Sequence, residues 1–182
     1  LEQCGKKAIL AGNIRKSPLD FLQIKKNKSL VIGHWSLVIL ELSSWHIESL
    51  YEHKLSPHIA LITNVLPDHL NRHTSFAEYG KVKFRIATHQ KKTGVLFVNA
   101  RDPVSRNLAK KHKNSQIIWF EKTKGTVKHT RAIIHADAIS AVMALARFLK
   151  LPVQKTRLAI QAFSGLPGRM ELIAEKGGVR YY

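Results

Sequence analysis

The sequence predicts an α/β fold: a doubly wound, mostly parallel sheet with helices on both faces. Three observations predict it. Strand-length apolar runs at 36–42 (Ser-Leu-Val-Ile-Leu-Glu-Leu) and 58–65 (His-Ile-Ala-Leu-Ile-Thr-Asn-Val) are nearly unbroken, the mark of strands covered on both faces. Segments of helical pattern alternate with such runs along the chain. The 182 residues are 45% hydrophobic and 23% charged, enough apolar material for one core and too much for a disordered chain.

The elements follow in order. Residues 6–10 read as a short strand leading into Gly12-Asn13. Ser17-Pro18 reads as a helix start, with the serine as N-cap and the proline where its missing N–H is not needed. The two apolar runs supply the next strands. Ser75-Phe-Ala-Glu78 is a capping-box pattern opening a helix to about His89. Residues 94–99 form a strand, 103–113 a helix, 116–120 a strand, and 121–134 a polar loop or irregular hairpin. A helix over about 136–149 puts Ile139, Val142, Met143, Ala146 and Leu149 on one stripe. Pro152 opens a further helix that ends near Phe163. Gly165-Leu-Pro-Gly168 is a break, so 1–164 is read as one domain and 165–182 as a linker with the first strands of another. Those last strands flank a Gly-Gly turn.

Charge is the outlier in composition: 30 Lys+Arg against 12 Asp+Glu give a formal +18. Such a balance attracts phosphate-rich partners. The cations are spread along the chain, however. Clusters such as Lys25-Lys26-Asn27-Lys28 and Lys110-Lys111-His112-Lys113 have no interleaved aromatics for base stacking, which ranks nucleic-acid binding second to a solvated basic surface. Cys4 alone leaves no internal disulfide and no cysteine metal cluster. No apolar run approaches a membrane span and no signal-peptide pattern opens the chain, so a cytoplasmic monomer without membrane contact is expected.

In a doubly wound sheet, ligands bind beyond the carboxyl ends of the strands. Two places there carry polar residues. Glu41 ends the run Leu37-Val-Ile-Leu40, where a carboxylate needs a cation, a salt bridge or an edge position. The segment from Asn64 to His73 packs Asp68, His69, Arg72 and His73 into one post-strand loop. A third candidate lies on the helix opened at Ser75. Phe76, Tyr79, Ile86 and Ala87 share a face and Lys83 falls within that stripe, while Lys81 and Arg85 project elsewhere. An inward lysine must snorkel, pair, lose its proton or be modified; as a carbamate it becomes an oxygen ligand suited to magnesium. No Gly-x-x-x-x-Gly-Lys-[Ser/Thr] phosphate loop occurs, and Gly5-Lys6-Lys7 lacks both the upstream glycine and the following hydroxyl.

Taken together, the motifs resemble those of the Mur ligases. The resemblance is carried by Ala11-Gly-Asn-Ile14 with Ser17-Pro-Leu19, Leu40 through Glu48, Ser56-Pro57 with Asn64 through His73, Tyr79 with Lys83 through Ile86, Val98 through Asp102, and Phe163 through Glu171, in order over nearly the whole chain. It implies a central ATPase domain over 1–164 lacking its phosphate loop, with the start of a C-terminal domain over 165–182. The implied activity is ATP-dependent amide-bond formation, with ATP and Mg2+ as cofactors. The nearest branch adds D-glutamate to UDP-N-acetylmuramoyl-L-alanine through an acyl phosphate in peptidoglycan synthesis. Glu41, His69 and carbamylated Lys83 match metal-site residues, with Lys83 and His69 at the chemistry. Asn13, Ser43 and His69 match substrate-contacting positions and Arg169 an ATP-contacting arginine. The sequence departs from the pattern at His135-Ala136-Asp137-Ala138-Ile139, where the family carries His-Asn-x-x-Asn, and at Leu166-Pro-Gly168-Arg169, where it carries Leu-Pro-His-Arg. The competing expectations are a basic nucleic-acid-binding module on a degenerate ligase core, and a related ligase such as one adding glutamates to folate.

Overall fold

A computed structural model describes residues 1–24, 30–31, 37–68, 72–121, 134–166 and 172–181. Strand β1 (Ala8–Gly12) leads through a 3-10 turn at Pro18–Phe21 to the short strands β2 (Gln23–Ile24) and β3 (Leu30–Val31), which pair antiparallel. Next come β4 (Leu37–Glu41), α1 (Ser44–Glu52), β5 (Ile59–Ile62) and α2 (Phe76–Phe84), with a 3-10 turn at Arg85–Ala87. Then follow β6 (Val95–Asn99), α3 (Pro103–Ala109), β7 (Gln116–Phe120), α4 (Ala136–Phe148), α5 (Val153–Ala162) and the hairpin β8 (Ala174–Lys176) with β9 (Val179–Tyr181). The architecture is α/β with parallel strands, as the sequence predicts.

The parallel strands form two pieces. One is β1 beside β4, with Gly12 opposite Glu41; the other has the order β5-β6-β7. Every residue of β6 is buried, because strands flank it on both sides and helices cover both of its faces. Ala60, Ile62, Leu96 and Val98 pack with Val65, Tyr79 and Ala109 on one face. Val95 and Phe97 pack with Phe120 and Ala141 on the other. β4 is less covered than its apolar run predicts: Val38 and Leu40 are 38% and 40% exposed. Among the described residues it pairs with β1 alone, without the second neighbour that flanks β6.

Local signals explain most element starts. Ser17 accepts from the Leu19 N–H above Pro18, but the result is one 3-10 turn rather than an α-helix. Ser75 caps α2 by accepting from the Glu78 N–H. The other half of the expected box shifts by one residue: Glu78 accepts from the N–H and hydroxyl of Thr74, at 2.6 and 2.7 Å. Those bonds, then the nearby His73 and Arg85, hold the Glu78 carboxyl below its ordinary range. α2 stops as an α-helix at Phe84 and α3 at Ala109, short of the predicted His89 and 113. The strand at 116–120 matches its expected bounds, and the helices at 136–148 and 153–162 start where expected. Helix α1 has no counterpart in the sequence reading. Its signals were present: Ser43 as N-cap, then Ile47, Leu50 and Tyr51 at helical spacing. Residues 122–133, most of the predicted polar loop, lie outside the described residues.

Buried side chains tie the strands to the helices. Asp102 accepts from the Ser105 N–H at 2.9 Å as N-cap of α3, and from the Val65 N–H at 3.2 Å in the connection after β5. Gln90 donates to backbone oxygens of Pro57 and Val95 and accepts from the Ser115 hydroxyl.

Two predictions follow from these contacts. Asp102→Ala removes a cap and leaves a buried amide unpaired, so chemical denaturation should show a loss of about 2–3 kcal/mol. Asp102→Asn, which keeps an acceptor, should lose about 1 kcal/mol. At His112, burial and then the Lys92 charge lower the pKa from its ordinary 6.5, and the ring nitrogen accepts from the Ser115 N–H. A lowered folded-state pKa means that the unfolded chain takes up the proton first. The contribution of His112 is therefore complete above pH 6.5 and declines as pH falls below it. Melting temperature followed across that range should decline more steeply for the parent chain than for His112→Gln.

Candidate functional site

All five long strands are parallel within their pieces, so their carboxyl ends carry the candidate residues. β1 ends at Gly12, which takes φ +103°, a conformation open to glycine and strained for other residues. A Cβ there would lie 2.2 Å from the Glu41 carbonyl oxygen. This close approach aligns Asn13 with Glu41. The Asn13 N–H donates to the Glu41 carbonyl at 2.8 Å, and the Asn13 side-chain amide donates to Glu41 Oε1 at 3.3 Å. The Glu41 side chain is exposed, and among the described residues its second carboxylate oxygen has no hydrogen-bond partner. Its strand-end position answers the burial problem raised by its apolar neighbours.

Ser43 follows Glu41 and caps α1. Its hydroxyl accepts from the His46 N–H, while the His46 ring accepts from the Ser43 N–H at 3.2 Å. Lys83 sits in the last turn of α2, half-buried, with its amine 5.0 Å from the centre of the Tyr79 ring. Tyr79 is buried and packs on His73 at 5.1 Å between ring centres. The inward lysine is thus accommodated on an aromatic face. His73 is itself buried, and its Nε2 makes no hydrogen bond.

The structure brings Asn13 and Glu41 into direct contact and sets Ser43 two residues further on. Glu41 and Lys83 are joined by neither a hydrogen bond nor an ion pair: the carboxylate turns to Asn13 and the amine to Tyr79. Among the described residues no group of three His, Cys, Asp or Glu gathers around a common ion position. His69 and Arg169 lie outside the described residues.

Two arrangements escaped the sequence reading. At the carboxyl end of β6, Arg101 reaches Asp137 at 3.9 Å, in the first turn of α4. His135 Nδ1 accepts from the Asp137 N–H at 3.3 Å and lies 3.6 Å from the Asp137 carboxylate. A carboxyl group, Asp137, stands in the segment where the resemblance leads one to expect amides. Its Oδ1 is buried and forms no hydrogen bond. The second is Arg72, whose guanidinium lies 3.4 Å from the centre of the Trp45 ring and is ion-paired with Glu48. Nothing local could announce either, since each joins residues more than twenty positions apart.

An apolar cavity of about 410 Å³ lies elsewhere, between Ile39 of β4 and the faces of α4 and α5. It has no charged lining and does not suit a phosphate or a divalent cation. Among the described residues no helix is long and apolar enough to cross a membrane.

The chain is similar to known proteins over nearly its whole length. The family described as "Mur ligase middle domain" matches residues 13–172. A UDP-N-acetylmuramoylalanine–D-glutamate ligase of Roseiflexus sp. (strain RS-1) is 30% identical over 95% of this chain and 43% of its own length. The protein of that name from Koribacter versatilis (strain Ellin345) is 28% identical over 100% of this chain and 44% of its own. The chain thus spans less than half of these relatives. Among solved structures, MurF from Acinetobacter baumannii shares the fold with a TM-score of 0.68 at 15% identity, over 97% of this chain and 46% of that one.

The geometry at Gly12 is directly testable. Gly12→Ala forces a Cβ onto the Glu41 carbonyl and a strained φ, so it should cost about 2 kcal/mol or more in urea unfolding. Gly5→Ala, with open space around a positive φ, should cost less.

Proposed function

The chain belongs to the Mur ligase family, and from that premise we propose that it is the ATP- and metal-handling central part of a ligase that joins D-glutamate to UDP-N-acetylmuramoyl-L-alanine. The observation that carries the reading is Glu41: an exposed carboxylate at the carboxyl edge of a parallel sheet, held in line by Asn13 and with one oxygen free of hydrogen bonds among the described residues. The names of the relatives support the substrate assignment.

The donor set suits magnesium. That ion takes one or two carboxylates and completes its shell with water and substrate phosphates, so it needs no dedicated protein cage. Glu41 provides such a carboxylate. Lys83 offers no oxygen as an amine; attack of its nitrogen on carbon dioxide, with loss of a proton to solvent, would give a carbamate that does. His69 is assigned the second metal and the substrate carboxylate, and Arg169 the ATP, on resemblance. Bound magnesium would supply charge neutralisation as a phosphoryl group moves from ATP to the substrate carboxylate.

The protein's own part is positioning. Asn13 fixes the Glu41 carboxylate and presents a side-chain amide to substrate. Ser43 places a polar helix start beside it. The amine of D-glutamate then attacks the acyl phosphate and phosphate leaves, which requires no side-chain nucleophile. Such an enzyme works in the cytoplasm, where its nucleotide substrates are found.

The test is Lys83→Ala in the full gene product, with phosphate release measured. Activity should fall about a hundredfold or more and recover in part with added short carboxylic acids that stand in for the carbamate. Unchanged activity would remove Lys83 from the reaction.

A further inference from the structure

Glu41 and Lys83 belong to different halves of the molecule. Glu41 ends β4, in the piece built from β1 and β4; Lys83 lies on α2, which packs over β5-β6-β7. Among the described residues no backbone pairing joins β4 to β5. On one side of the sheet, an apolar cavity lies between Ile39 of β4 and α4. On the other side, α1 leaves β4 after Ser43 and packs against α2 and the 3-10 turn after it. Together with the contact of the Glu2–Cys4 turn against α5, that interface joins the two halves.

We propose that Arg72 is a positioning residue, whose guanidinium, stacked on Trp45 and ion-paired with Glu48, holds the Lys83 helix in register with the strand ending in Glu41. The proposal rests on the function given above. Arg72 lies just before the Ser75 cap of α2, while Trp45 and Glu48 lie on adjacent turns of α1. The stack is close, at 3.4 Å to the ring centre. The Arg72 and Glu48 side chains are only 29% and 24% exposed, so solvent screens the pair less than a fully exposed one. A planar guanidinium can stack and bridge a carboxylate at once, which a lysine ammonium cannot. A second contact supports the other end of α2: Arg85 lies 4.7 Å from the centre of the Tyr51 ring, near the end of α1. The two arginines bracket Lys83.

The test uses Mn2+ as the probe, its binding to the 182-residue chain read by water-proton relaxation. Each variant's melting temperature is measured alongside. Arg72→Ala, Arg72→Lys and Trp45→Leu should each bind Mn2+ about tenfold more weakly, and Arg72→Ala with Trp45→Leu should be no worse than either alone. The sign is decisive. Removing a positive charge favours cation binding, so electrostatics alone predicts tighter binding in Arg72→Ala and none of the loss in Arg72→Lys. Glu41→Gln separates the two readings. If it weakens Mn2+ while the Arg72 and Trp45 variants bind as the parent does, Arg72 has no positioning role and the metal site stands. If Glu41→Gln has no effect, or the parent binds no Mn2+, the metal reading fails and this inference with it. A fall in melting temperature with unchanged affinity marks the contact as merely structural and also overturns the proposal.

Discussion

Two pieces of parallel sheet that share no strand pairing among the described residues are joined by packing. One such contact is the face where α1 meets α2, another the turn at Glu2–Cys4 against α5. Helix α1 fixes its own start through Ser43 and His46, which satisfy each other's backbone amides. Its outer surface then receives two guanidinium groups, Arg72 on Trp45 and Arg85 on Tyr51. In a packed core, a small shift at such an interface is transmitted rather than absorbed.

The same contacts bear on the excess positive charge. A +18 chain attracts phosphate of any origin, and an exposed tryptophan beside arginine could serve as a base-stacking platform. In this structure Arg72 covers one face of the Trp45 ring and is itself engaged by Glu48. The arginine is spent inside the fold. The rest of the basic character is spread along the chain, without aromatics interleaved among the lysine clusters as a stacking surface would need.

Much of the fold was legible because its signals are local. Ser17 before Pro18, Ser75 before Glu78 and the apolar run at 116–120 each act within a few residues, and each marks an element where expected. The failures share a cause. Ser17 starts a 3-10 turn because the chain must turn back toward the sheet after Gly12, where an isolated bridge pairs Gly12 with Lys16. Glu78 serves Thr74 rather than Ser75 because both the N–H and the hydroxyl of Thr74 lie within its reach. The helical periodicity placed Lys83 within the apolar stripe. There the stripe residues Phe76, Tyr79, Ile86 and Ala87 pack in the core, and Lys83 lies half-buried against the Tyr79 ring.

By itself the sequence determined the parallel α/β class, the strand ends where polar residues collect, and the family to which those residues point. These follow from the order of apolar runs and from short motifs, which are properties of neighbours along the chain. Tertiary structure alone decided that Asn13 bonds Glu41, that Arg101 meets Asp137, that Lys83 rests on Tyr79 beside a buried His73, and that Arg72 bridges two helices. Most of these contacts join residues far apart in sequence, and their strength depends on distance and burial. Neither quantity exists until the chain has folded.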